Sequence, residues 1–162
     1  MAIHIHTDAS VSGDATYSRG AFLIEKKVKR GSTTKTTHKY AYRTNLLKRD
    51  HIGSDEAETY TMCVGLMQAI KLFPDDNEYW VYSDSKNSIR KLQNFSVPKL
   101  LHKGSYHKYE KSLYRYIMKH HKGHNCIIKF EHVKGHKGEL KSYSEKMNFV
   151  CDYLCSVKGL DI

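Results

Sequence analysis

Turn-forming stretches separate the first three β-rich runs of this chain, whereas helix-forming stretches precede each later one. Ala2–His6, Gly20–Glu25 and Thr33–Tyr42 come first, and the Gly31-Ser32 pair between the last two is a turn signal. Runs joined in this way pair antiparallel. Asp55–Phe73 then repeats Met62, Leu66, Ala69, Ile70 and Phe73 at three- and four-residue spacing, and Pro74 stops it. The next β run is Tyr79–Ser83, and helices are expected over Ser85–Phe95 and Tyr106–His121. Asn125–Val133 is the last strand, Lys134–Lys141 a loop, and Ser142–Val157 the last helix, with Ser142 and Glu145 spaced as a capping box. Strands that follow helical crossovers lie parallel. The expected fold is α/β: a five-stranded mixed sheet, three antiparallel strands then two parallel additions, flanked by helices. No linker or repeat divides the sequence, so residues 1–162 read as one domain.

Acids stand at the edges of these elements. Asp8 follows the first strand and Asp84 follows Tyr79–Ser83; if the two strands are parallel neighbours, both carboxylates emerge at one sheet edge. Each acid also suits a simpler task, Asp8 capping a turn and Asp84 capping the helix after it. Glu58 shares a helix face with Met62 and Leu66 and is expected to face the core, with Glu56 in solvent. A capping box with Asp55 is the other reading of Glu58. Asp152 flanks the stripe Met147, Val150, Cys151, Leu154 and Val157, and alone would be a surface acid. Converging carboxylates repel one another unless cations neutralise them, and oxygen-only ligands suit Mg²⁺ or Mn²⁺.

The formal net charge is +10, which points to an anionic partner, nucleic acid before an acidic membrane. No apolar run is long enough to span a membrane and no secretory signal opens the chain, which suggests a cytoplasmic or nuclear protein, with the cytoplasm as the expected location. Cys63, Cys126, Cys151 and Cys155 form no CxxC pair and are expected as buried or half-buried thiols rather than zinc ligands or disulfides.

The motifs resemble ribonuclease H of type 1 over nearly the whole chain. They are Thr7-Asp8-Ala9-Ser10 with Gly13, then Ala57-Glu58 with Gly65-Leu66, then Tyr82-Ser83-Asp84-Ser85. The fourth and most specific joins His132-Val133-Lys134-Gly135-His136-Lys137-Gly138 to Asn148-Phe149-Val150-Cys151-Asp152. The resemblance implies a metal site of Asp8, Glu58, Asp84 and Asp152 holding two Mg²⁺ ions, with Mn²⁺ able to substitute. It implies internal cleavage of the RNA strand of an RNA–DNA hybrid by a monomer without a membrane partner. His136 matches the family's mobile histidine. Substrate contacts are implied for Ser10, Ser12, Gly13, Ser54, Ser85, Lys134 and Asn148. Two departures stand out: Ala9 replaces a customary glycine, and Ser54-Asp55 replaces two asparagines. Lys99, His102, Lys103, His107 and Lys108 fall where some members carry a basic handle. A DNA nuclease or resolvase on the same fold and a non-catalytic nucleic-acid-binding module are the alternatives. Because Lys and Arg contacts release counterions, hybrid affinity is expected to fall steeply with salt; a titration showing nearly constant affinity contradicts a basic binding surface.

Overall fold

The computed structural model describes residues 2–45, 47–48, 51–93, 107–122, 126–134 and 142–156. In chain order these form β1 (Ala2–Val11), β2 (Tyr17–Arg30), β3 (Thr33–Arg43), β4 (Leu47–Lys48), α1 (Ser54–Leu72), β5 (Glu78–Ser83), α2 (Lys86–Gln93), α3 (His107–His120), β6 (Ile127–His132) and α4 (Tyr143–Ser156). The sheet order is β3-β2-β1-β5-β6, and the two-residue β4 pairs with β2 off that path. β1, β2 and β3 pair antiparallel, while β5 joins β1, and β6 joins β5, in parallel. The expected mixed sheet is therefore present, with β4 as an addition too short to be seen in the pattern.

β1 lies between β2 and β5 and is buried on both faces. Ile3 and Ile5 pack with Phe22, Ile24, Met62, Leu66, Ile70 and Val81, the α1 side of the core. Each such side chain contributes roughly 1.5–3 kcal/mol when fully buried. On the opposite face Ala21 and Leu23 pack with Cys151 and Cys155 of α4. The four cysteines are free thiols, three of them buried, as their isolated spacing indicated.

Three expectations need correction. β1 does not stop at His6 but runs to Val11, because β2 continues to pair with it, placing Asp8 opposite Ala21 and Val11 opposite Ser18. Asp8 is thus inside a strand, not in a turn it could cap. Glu56 is not in solvent: it is 1% exposed and accepts a 2.7 Å hydrogen bond from the Tyr109 hydroxyl. Helix phase set Glu56 opposite Glu58 correctly, but α3 covers that opposite side of α1. Lastly, β3 was expected to have one wet face; from Thr33 to Ala41 every residue is exposed, so both faces are wet.

α4 is docked on the sheet by polar as well as apolar contacts. Asn148 Nδ2 donates to the Thr7 carbonyl (3.2 Å), Cys151 Sγ to that of His6 (3.3 Å) and Cys155 Sγ to that of Asp8 (3.4 Å). At the start of the helix Glu145 N donates to Ser142 Oγ (3.1 Å), the contact expected of the capping box. The Tyr143 hydroxyl donates to Glu25 Oε2 (2.6 Å). Glu25 is fully buried, with His6 Nε2 3.0 Å from its other oxygen. Burial alone would raise the Glu25 carboxyl, but the His6 ring and Tyr143 hydroxyl outweigh it and hold the group at about 2, while burial lowers His6. The pair is a carboxylate beside a neutral imidazole.

Gly20 supports the antiparallel half. A Cβ there would collide with the side chain of Thr61, which is itself buried and hydrogen-bonded to Ala57 O (2.8 Å). Gly20→Ala should destabilise the fold by about 1–3 kcal/mol, the usual cost of overpacking, read as a lower urea midpoint at unchanged slope.

Candidate active site

The parallel ladder between β1 and β5 ends at His6↔Tyr82, where Thr7 Oγ1 also donates to Tyr82 O (2.9 Å). Two residues further on each strand come Asp8 and Asp84. Equal offsets from one paired position bring the two acids side by side past the end of the ladder. Glu58, one turn into α1, reaches the same place and accepts a 3.1 Å hydrogen bond from Ala9 N. One carboxylate oxygen from each of Asp8, Glu58 and Asp84 lies within 4.8 Å of the others. Ala9 in place of glycine leaves this backbone donor intact.

The alternatives for these acids fall away on geometry. α1 begins after Gly53 with no side-chain cap, so Asp55 and Glu58 form no capping box. Asp55 instead accepts from Ser85 Oγ (3.4 Å) and Asn87 Nδ2 (3.3 Å). α2 is capped by Ser85, whose Oγ accepts from Ser88 N (3.3 Å), so Asp84 is not needed as the cap.

The electrostatics of the triad are unfavourable without a cation. Burial, then the charge of Asp84, pushes the Asp8 carboxyl up to about 8. Burial, then Asp8 and Asp84, raises Glu58 well above the usual carboxylate range. Glu58 Oε2 is buried without a hydrogen-bond partner. Three converging carboxylates, one with an unsatisfied buried oxygen, match the donor set of a hard divalent cation. Asp152 is not in the triad. It lies half-buried on α4, close enough for its charge to act on Asp8.

A cleft of about 660 Å³ opens beside the triad and is lined by Glu58, Asp84, Ser54, Asp55, Ser85, Asn87, Lys86 and His132. Ser54 and Ser85 thus share the cleft with the acids. Ser10 is exposed on β1, and Gly13 is exposed in the following loop. Ser12 folds that loop: its Oγ accepts from Thr16 N and Tyr17 N, both at 3.2 Å. Lys134 is exposed just after Val133, whose N–H donates to Ser83 O (2.9 Å). Asn148 is 2% exposed and committed to the Thr7 carbonyl, which makes it an anchor of α4. His136, Lys99, His102 and Lys103 lie outside the described residues, as does the His107 side chain; Lys108 is exposed.

Sequence reasoning assigned no role to Asn87, Lys86 or His132. His132 Nε2 lies 3.2 Å from Asp84 O, and its strand pairs it with Ser83. Aligning the ends of the two parallel strands could have found it; Lys86 and Asn87 carried no signal beyond their place at a helix start.

Comparison with known proteins begins from a negative result: no protein-family model matches the chain, and no curated protein sequence matches it. Solved structures do. LC11-RNase H1, solved in complex with an RNA/DNA hybrid, superposes with a TM-score of 0.58 at 15% identity, over 94% of this chain and 92% of that one. The N-terminal RNase H domain of a Mycobacterium tuberculosis protein, solved as a fusion with maltose-binding protein, gives 0.56 at 17% identity, over 95% of each chain. RNase H1 from the halophilic archaeon Halobacterium salinarum gives 0.55 at 12% identity, over 95% of this chain and 94% of that one. The protein is an α/β chain with the ribonuclease H fold. Its likeness to the type 1 structures extends over nearly the full length.

A raised carboxyl holds its proton more tightly in the folded than in the unfolded chain. Metal-free stability is therefore expected to decline as pH rises from about 4, the ordinary Asp value, to about 8, the folded value of Asp8. Asp8→Asn should melt above the parent at pH 8 without metal, by about 2–4 °C per kcal/mol of repulsion relieved, and the gap should close near pH 4. Mg²⁺ or Mn²⁺ should raise the parent's melting temperature and leave the variant's nearly unchanged.

Proposed function

We propose that this protein is an endonuclease that hydrolyses the RNA strand of RNA–DNA hybrids. The observation that carries the reading is the convergence of Asp8, Glu58 and Asp84 beside an open cleft in a chain of net charge +10. A negative pocket is of no use to a protein that only binds phosphates, since it repels them; with divalent cations bound it attracts them. The likeness to LC11-RNase H1, which was solved with a hybrid, supports the same substrate.

In this proposal Asp8, Glu58, Asp84 and Asp152 hold two Mg²⁺ ions, with Mn²⁺ as a substitute. Bound ions would supply an activated water as nucleophile and neutralise the developing charge on the leaving oxygen. The remaining work falls to the chain itself. Asp8, which feels Asp84, Glu58 and Asp152, would hold metal together with them, and Ala9 N orients Glu58 through its 3.1 Å hydrogen bond. Asn148 and the two thiols below it fix α4, and with it Asp152, against β1. Ser54 and Ser85, which line the cleft, contact the substrate in this reading, as do Ser10, Ser12, Gly13 and Lys134. His136 assists proton transfer or product release. Residues 1–162 act as one domain, a monomer working in the cytoplasm. Among the described residues no helix is long and apolar enough to cross a membrane.

The test is a labelled hybrid, a DNA duplex, a DNA junction and an RNA duplex, each incubated with Mg²⁺ and with Mn²⁺. Internal cuts confined to RNA paired with DNA are expected. Asp8→Asn should lower the cleavage rate by at least about a thousandfold, on the order of 4 kcal/mol, while hybrid binding survives. Binding without cleavage in either metal, or preferential cutting of the all-DNA junction, rules the assignment out.

A further inference from the structure

Most of the chain's net positive charge sits in one hairpin. From Tyr17 to Arg43, β2 and β3 contain eight Lys and Arg residues and a single acid, Glu25, which is fully buried. This segment carries +7 of the total +10; the other residues hold 19 basic against 16 acidic side chains. The hairpin also outruns the rest of the sheet. Among the described residues β1 begins opposite Lys27, and Val28–Arg30 and Thr33–Lys35 form a two-stranded overhang.

Register sorts the cations by face. Lys39 stands opposite Glu25, and Arg43 opposite Ala21, both on the face that α4 covers. Lys27 is on that face too, with Nζ 4.5 Å from the centre of the Tyr143 ring, and Lys29 follows at the next like-facing position. Arg43, Lys39, Lys27 and Lys29 thus form a line. Its near end is at the site: Arg43, Ala21 and Asp8 are in register across three strands, about 10 Å from first to last. Its far end, where Lys29 pairs with Thr34, is nine residues along β3 from Arg43, about 30 Å away.

Lysines on an edge strand also deter pairing with other chains. That role does not account for Lys27, which β2 holds between Ala2 of β1 and Thr36 of β3. A line of cations about 30 Å long matches about nine base pairs of duplex at 3.4 Å each.

We propose that the β2–β3 hairpin is a second nucleic-acid contact, gripping the phosphate backbone of the substrate duplex up to about nine base pairs from the cleavage site. The inference rests on the hybrid-cleavage reading for the identity of the duplex. Its contribution is electrostatic and independent of sequence, so it acts on long substrates and not on those confined to the cleft.

The experiment uses the full chain in EDTA, where binding is read without cutting, and hybrids of about 8 and about 24 base pairs. Lys29→Gln with Lys39→Gln is compared with a control of equal charge change, Lys71→Gln with Lys119→Gln, both exposed on helices. For the long hybrid the hairpin pair should weaken binding at least about threefold near 0.1 M salt and reduce the slope of log K against log salt by roughly 1.8. The control should change both by less than half as much, and the short hybrid should not distinguish the two variants. Equal effects of the two variants, or equal effects on both lengths, overturn the proposal. So does unchanged hybrid binding with lost binding to phosphatidylserine vesicles, which would make the hairpin a membrane contact. Melting curves check folding; should the pair unfold, Lys29→Gln alone, on the overhang, is expected to give about half the slope change. Cleavage is scored separately. A chain that cuts nothing yet keeps the length-dependent effect loses the enzymatic reading and not the contact.

Discussion

A parallel pair of strands cannot be closed by a tight turn, because the chain must cross back over the sheet between them. In this protein α1 makes that crossing between β1 and β5, and the pairing it permits governs everything nearby. β1 and β5 stay in register from Ala2↔Glu78 to His6↔Tyr82 and then part. Asp8 and Asp84 lie just past that point, at equal offsets. The crossover helix itself brings the third acid, because its first turns pass over the same end of the sheet. One register therefore assembles three carboxylates from three distant parts of the sequence. A slip of one residue would turn Asp8 to the other face of the sheet.

The concentration of negative charge runs against the fold's own stability. Burial and mutual repulsion raise Asp8 and Glu58. What holds them in place is neutral packing and directed hydrogen bonding around them: the core under β1, the Ala9 N–H on Glu58, and the anchoring of α4 through Asn148, Cys151 and Cys155. On the far side of the sheet the buried Glu25 carboxylate ties β2 to α4 through Tyr143. Much of the opposite charge is gathered on the hairpin, in a line that starts at Arg43, about 10 Å from Asp8, and runs away from the site. An acidic pocket and a basic arm on one small sheet give a polyanion both a place to react and a place to be held.

Much of this was legible in the chain. Asp8 and Asp84 stand out because each follows a β run, and Glu58 was separated from Glu56 by helix phase. The fold class followed from the order of strands and helices, since turn-linked strands pair antiparallel and helix-linked strands pair parallel. The same local arguments failed where a second element intervened. Glu56 is buried because α3 covers the back of α1, which a single-helix wheel does not contain. Asp55 turned out to bind Ser85 and Asn87 across the cleft rather than cap its own helix. The Thr and Tyr content of β3 suggests a strand with one wet face and gives no sign that every side chain from Thr33 to Ala41 is exposed.

The sequence alone determined the order of every element but β4 and singled out the acids beside them, because these depend on local periodicity and turn chemistry. Only the tertiary structure decided which acids meet, which polar groups are buried, and where the positive charge is collected. Those properties depend on strand register and on which elements cover one another, and both are set by contacts between residues far apart in the chain.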